Sequence, residues 1–134
     1  MRNFIPGFIR SSLRNAILRS RFTRRNRIGS RVTFSGDTVI GEGCIIGRNV
    51  ILGPAVKIGN NVTIGSGAVI ERMEIGDHSV VEGGVIVTGH GEGRIRIGRE
   101  SFIGHNTVLD FSDNITIGDY VHVGYNQFWT HSSA

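Results

Sequence analysis

The sequence predicts an all-β protein, a parallel β-helix preceded by one amphipathic helix. Three observations predict it. From Ile28 onward an apolar residue returns every six positions, through Ile28, Phe34, Ile40, Ile46, Leu52, Ile58, Ile64 and Ile70. Glycine follows eleven of the seventeen residues in the full series. A small or β-branched residue, such as Val50, Val62, Ala68, Ser101 or Thr107, usually stands four positions after each. A six-residue period does not hold one face of a helix with about 3.6 residues per turn. Each unit is instead a short strand and a bend. Three units complete a coil, and coils stack about 4.8 Å apart through main-chain hydrogen bonds.

In chain order, residues 1–27 form the first unit. Ile5, Ile9, Leu13 and Ile17, flanked by Phe8, Leu18 and Phe22, trace a helical stripe, with Arg10, Arg14, Arg21, Arg24 and Arg25 crowded around it. Nine of the fifteen basic residues are arginines within the first 31 positions, and no acid appears before Asp37. From Val32 onward six bases face eleven acids, so the positive charge belongs to this segment and not to the body. Two uses fit it: a helix that covers the open end of the coil, and docking on an anionic membrane surface. The segment carries no nucleic-acid motif and few aromatics for stacking, which argues against nucleic acid as a partner. Met1–Arg10 lacks the apolar stretch of a signal peptide, and no run is long enough to span a bilayer. The expected location is cytoplasmic, peripheral at the inner membrane surface. The single cysteine, Cys44, excludes an internal disulfide and fits a reducing compartment. Its place in an apolar repeat makes it a core residue.

Residues 28–134 form the second unit, the coil. The seventeen apolar positions sort into three columns. One (Ile40, Ile58, Ile75, Ile97, Ile117) is always followed by glycine. The second (Ile28, Ile46, Ile64, Val81, Ile103, Val123) lacks glycine only at Glu82. The third (Phe34, Leu52, Ile70, Val87, Leu109, Trp129) lacks it five times in six. The three irregular steps in the count, Ile70 to Ile75, Val87 to Ile97 and Leu109 to Ile117, all leave from this third column. One edge of the prism therefore differs from the others, and insertions on one edge of a solenoid usually shape its working face.

The chemistry-bearing residues gather on that edge. His78 and His122 sit in regular repeats and read as solvated. His90 lies in the glycine-rich stretch Thr88–Arg94, which has no Walker lysine and opens no helix. His105 lies at a bend. His131 follows the third column in the last coil, and Asp110 follows it one coil earlier. Stacking brings Thr130 near Asp110 and makes Asp110 and His131 neighbours. A carboxylate beside an imidazole fixes its tautomer and suits it to act as a general base. The alternative reading is a terminal histidine with no role.

The repeat resembles the hexapeptide-repeat acyltransferase family, whose fold is a left-handed parallel β-helix, usually trimeric. The stretches Asn106–Asp110, Ile115–Asp119 and Trp129–His131 resemble its O-acetyltransferase branch, which includes the maltose and galactoside acetyltransferases and enzymes that acetylate bacterial surface polysaccharides. Gln127-Phe128-Trp129-Thr130-His131 is closer to the polysaccharide type. The resemblance implies acetyl-CoA as co-substrate, no metal, a glycan acceptor and a homotrimer. It implies His131 as the base that takes the proton of the acceptor hydroxyl, and it sets Asp110 and Trp129 at the acceptor. Where the simple-sugar enzymes carry an asparagine, this chain reads Ile103-Gly104-His105, which argues against a maltose-like acceptor. Family members continue past this point with coils that hold CoA, so the chain reads as truncated at its C-terminus. Two other readings stay open. One is a catalytically silent structural or membrane-associated coil. The other is a zinc hydratase resembling the γ-carbonic anhydrases, which pair a Gly-His with a histidine five residues on; here Gly89-His90 is followed at that distance by Ile95, and Gly104-His105 by Asp110.

Overall fold

The structure is a computed structural model and describes residues 25–131. The helix expected over residues 1–27 falls outside the described residues except for its last three, and the first strand already begins at Arg27. Among the described residues no helix is long and apolar enough to cross a membrane.

Seventeen short strands follow one another. They are β1 (Arg27–Ile28), β2 (Thr33–Phe34), β3 (Val39–Ile40), β4 (Ile45–Ile46), β5 (Ile51–Leu52), β6 (Lys57–Ile58), β7 (Thr63–Ile64), β8 (Val69–Ile70) and β9 (Met73–Ile75). Then come β10 (Val80–Val81), β11 (Ile86–Thr88), β12 (Ile95–Ile97), β13 (Phe102–Ile103), β14 (Val108–Asp110), β15 (Ile115–Ile117), β16 (His122–Val123) and β17 (Gln127–Phe128). Every third strand pairs in parallel, which gives three sheets: β1-β4-β7-β10-β13-β16, β2-β5-β8-β11-β14-β17 and β3-β6-β9-β12-β15. These sheets are the second, third and first columns of the sequence, and are called faces A, B and C below. Registers such as Ile46↔Ile64, Leu52↔Ile70 and Ile58↔Ile75 align the apolar residues of each column. The columns point inward and fill a single continuous core along the axis. Alternation along each strand sends the neighbouring residue outward.

The glycine of each repeat has a different cause from the bend expected of it. Gly65 lacks a positive φ; that conformation falls two residues later, on Gly67 at +75°. What Gly65 provides is close approach. A Cβ there would sit 2.2 Å from the backbone nitrogen of Gly83 in the next coil. At Gly53, the one glycine of the third column, the nearest atom would be 3.0 Å away and belong to the Glu71 side chain. At that position Ser35, Glu71, Thr88, Asp110 and Thr130 take the place of glycine in the other coils. Gly65→Ala is therefore expected to cost about 3 kcal/mol. Gly67→Ala meets no atom within 4 Å and should cost only about 1–2 kcal/mol for its left-handed backbone. Urea unfolding of the two variants side by side checks the ordering.

Residues one coil apart are separated by 18 positions in the early coils, then by 17, 22 and 20. The changes in length are absorbed where the chain passes from face B to face C. Beyond that edge the inward slot held by Thr38 and Val56 is taken by Met73, Ile95 and Ile115, and Phe111 is buried alongside. Larger side chains thus fill the core at this edge wherever the coil departs from 18 residues.

The last coil departs from the sequence reading. Phe128, not Trp129, stands in register with Leu109, and Trp129 is 55% exposed. The step from Val123 to Phe128 is one residue short, so a fourth irregular step exists and it leaves from face A. The main-chain ladder sets this register: the Asn126 carbonyl accepts the Val108 amide at 3.0 Å, as the Thr107 carbonyl accepts that of Ile86, and this puts Phe128 beside Leu109. Asn126 and Phe128 are both exposed in this coil, so packing into a core does not select the larger Trp129 for the column.

Candidate active site

The edge between faces B and C gathers Asp110 and His131, as the sequence reading expects. Asp110 ends β14 and is fully buried. Its backbone continues the ladder, with Thr88 as its register partner in the coil beneath. Four donors converge on its carboxylate. The Ser112 amide and hydroxyl donate to Oδ1 at 2.9 and 2.6 Å. The Thr130 amide donates to Oδ2 at 3.2 Å, and His131 Nδ1 contacts the same oxygen. Burial pushes this carboxyl upward, but the hydrogen bonds from Ser112, Thr130 and His131 outweigh it and hold Asp110 well below the usual carboxylate range. Asp110 is thus ionised at neutral pH and acts only as an acceptor.

His131 is positioned through its neighbour. The Thr130 hydroxyl donates to the Asp110 carbonyl at 3.0 Å and accepts the Asp113 amide at 2.9 Å, so residue 130 is fastened at three points. The carboxylate requires a proton on Nδ1, which leaves the Nε2 lone pair as the acceptor of neutral imidazole. The His131 side chain is 44% exposed, so a reactant has access to it. The Trp129 ring stands edge-on to it, centroids 6.3 Å apart, and the indole N–H donates to Gln127 Oε1 at 3.2 Å. Trp129 is therefore beside the imidazole and exposed, where the sequence reading wants it for an acceptor, although it is absent from the core column.

Below the pair lies Gly89, with φ at +147°. A Cβ on it would stand 2.6 Å from Asp110 Oδ1 and under 3 Å from the amides of Phe111 and Ser112. The loop that carries His90 is thus a floor for the carboxylate. The His90 amide donates to Ser112 Oγ at 3.0 Å, which passes its own proton to Asp110. Gly89→Ala is expected to destabilise the fold by about 1–3 kcal/mol and to displace the ring resonances of His131 in an NMR spectrum. Unmoved His131 resonances would mean that the floor does not set the pair.

A second carboxylate–imidazole pair escaped the sequence reading. His105 Nε2 lies 2.6 Å from Glu82 Oε2, and the His105 ring stacks on Tyr125 at 6.2 Å. These residues occupy the edge between faces A and B. The available signal was Glu82, the one break in the glycine run of its column. The remaining candidates stay apart. His78 is exposed at a corner, and His122 packs its ring on Phe102 at 4.4 Å. Cys44 is buried, donates to the Gly59 carbonyl at 3.1 Å, and its thiol is pushed up by burial, so it stays protonated in the core. No group of three or more histidine, cysteine or acidic side chains gathers among the described residues.

The family model of the GMPPB C-terminal domain matches residues 28–131, which include both members of the Asp110–His131 pair. No curated protein matches the chain. Solved structures do. A hexapeptide transferase family protein from Anaplasma phagocytophilum is similar at 23% identity, covering 69% of this chain and 55% of that one, with a TM-score of 0.59. The acetyltransferase domain of PglB from Neisseria gonorrhoeae, in complex with acetyl coenzyme A, is similar at 17% identity over 82% of this chain and 60% of that one, TM-score 0.49. PerB from Caulobacter crescentus, in complex with CoA and GDP-perosamine, is similar at 22% identity over 84% and 61%, TM-score 0.43. The chain thus spans less than two thirds of each of these proteins. The likeness to the Anaplasma protein is one of fold.

Proposed function

The chain belongs to the GMPPB C-terminal domain family, and from that premise and the geometry of its B–C edge we propose that it transfers acetyl from acetyl-CoA directly to a hydroxyl of a glycan. One observation carries the reading. A buried, ionised carboxylate grips Nδ1 of a half-exposed imidazole and leaves Nε2 as its remaining acceptor. Nε2 takes the proton of the acceptor hydroxyl as its oxygen attacks the thioester carbonyl. The tetrahedral intermediate collapses, the C–S bond breaks, and the imidazolium returns the proton to the CoA thiolate. Asp110 stays ionised and stabilises the imidazolium while it exists. Trp129 offers an exposed ring beside Nε2 as a wall for the acceptor sugar. The fold likeness to a hexapeptide transferase family protein supports a transferase.

The outward residues of face B support assembly. Ile51 and Ile86 are each 44% exposed and stack with the half-buried Val69 and Val108 into an apolar ladder. We read this ladder as the contact between copies in a homotrimer. The arginine-rich residues 1–27 remain our candidate for contact with an anionic membrane on the cytoplasmic side.

The test is release of free CoA thiol from acetyl-CoA in the presence of glycan acceptors. The expected result is acceptor-dependent thiol release, with an acetyl product cleaved by mild alkali, as an ester is and an amide is not. Release that is absent with every glycan, or indifferent to the acceptor, would leave the silent structural coil as the better reading.

A further inference from the structure

From Val32 onward the chain holds only six bases against eleven acids. Four of the six, Lys57, Arg72, Arg94 and Arg96, line one cleft of about 70 Å³ where the B–C edge meets face C. One acid, Glu74, shares it and is already paired with Arg96 at 3.7 Å. An acidic body has thus collected most of its positive charge at one concavity. Lys57, Arg72 and Arg94 form no ion pair among the described residues, so their charge is left for something else.

Arg72 is held in place. Its Nε donates to the Gly93 carbonyl at 2.9 Å, and its guanidinium lies 5.6 Å above the Phe111 ring. The Arg94 backbone is tied in turn to the Asn114 side chain at 2.9 Å. A guanidinium fixed at Nε still presents its two Nη groups, the fork that suits phosphate oxygens. The cleft is small and opens to solvent, so a phosphoryl group can enter it while the rest of a larger ligand stays outside.

We infer that this cleft binds the phosphate or diphosphate group of a ligand whose remaining part lies outside it. Its position gives the ligand a role. The Arg72 guanidinium faces the ring of Phe111, which directly follows Asp110, and Arg72 lies two coils below Asp110 and three below His131, roughly 14 Å along the axis at ~4.8 Å per coil. A ligand held there by its phosphate meets His131 only if its reacting group stands about that far from the phosphate. The identity of the ligand, as phosphorylated acceptor or as CoA, rests on the acyl-transfer reading. The anion binding does not.

The experiment titrates inorganic pyrophosphate into the full chain by calorimetry. Binding is expected to weaken about tenfold in the double variant Lys57→Gln/Arg94→Gln, whose side chains are exposed and whose loss leaves the core intact. It should be unchanged in Arg48→Gln, a base outside the cleft, and in His131→Ala. Binding should also fall with added salt. Arg72→Gln is the stronger test of the ligand fork, read together with its melting temperature because Arg72 also braces Gly93. No binding of pyrophosphate, or equal binding in the double variant and in Arg48→Gln, overturns the inference even if acetyl transfer is found. Retained binding in His131→Ala supports it even if transfer is not found. Competition then identifies the source. Displacement by CoA but not pantetheine assigns the cleft to the donor, displacement by a nucleoside diphosphate assigns it to the acceptor, and displacement by neither overturns the proposal.

Discussion

His131→Ala is expected to slow acetyl transfer by about 10²–10⁴-fold, the usual worth of a positioned general base, and to leave the fold intact. The two halves of that expectation have separate causes. The His131 side chain is half exposed, so its removal opens no cavity in the core. Among the described residues, its loss removes the one imidazole whose second nitrogen is fixed by a fully buried carboxylate. The fall should appear in kcat, with KM for acetyl-CoA little changed, because the imidazole acts on the acceptor proton and not on the nucleotide. Added imidazole should restore part of the rate by filling the vacated space. Equal rates for the two proteins would remove His131 from the mechanism.

Asp110→Asn should be as damaging to transfer, about 10²–10⁴-fold, and it should also lower the melting temperature. The carboxylate accepts from two Ser112 groups, the Thr130 amide and His131. A carboxamide replaces one acceptor oxygen with a donor, so at least one of these donors meets a like group in a buried place. If the imidazole turns its proton to Nε2 to accommodate the new group, it ceases to be a base toward the acceptor. The pH dependence follows from the same bonds. A carboxyl held low in the folded state contributes stability above its unfolded value, about 3.9. That contribution is lost as pH falls through the folded value, so the loss occurs only in strong acid. Asp110 therefore adds no pH dependence to stability near neutrality and an acid-side loss below about pH 4. Thermal melts between neutral pH and strong acid should show that loss in the native protein and a shallower one in Asp110→Asn. Parallel acid profiles would count against the ionised carboxylate.

The columns were legible because they rest on the strongest physical constraint in the chain. A core one side chain wide admits only apolar residues at fixed intervals, and all three faces follow the sequence count until the last strand. The error at Trp129 came from following apolar size alone. In the last coil Asn126, Phe128 and Trp129 are all exposed, so core packing does not fix which of them stands in the column. Glycine was read correctly as a marker and wrongly as a bend, since its cause is a neighbour 18 residues away and not its own φ. The Asp110–His131 contact was legible because coil stacking turns sequence spacing into proximity. Glu82 and His105 obey the same rule across one coil, but a single break in a glycine run does not by itself point to a partner. The cationic cleft was harder to see. Its four residues are spread over 40 positions from Lys57 to Arg96, and Lys57 and Arg96 come together through the register each shares with Glu74.

Those unequal coils have a consequence for how such a chain changes over generations. Lengthening a coil from 18 to 22 residues adds only roughly 0.2 kcal/mol to the entropy of closing it. The registers on the other faces, such as Val81↔Ile103, are preserved across the longest coil. Length variation is therefore cheap at this one edge, which takes three of the four irregular steps, and rarer at the other two, where glycine recurs in close contact with the next coil. New loops, and with them new ligands, should accumulate along a single line of the prism. The scaffold separates what must stay constant from what is available for invention.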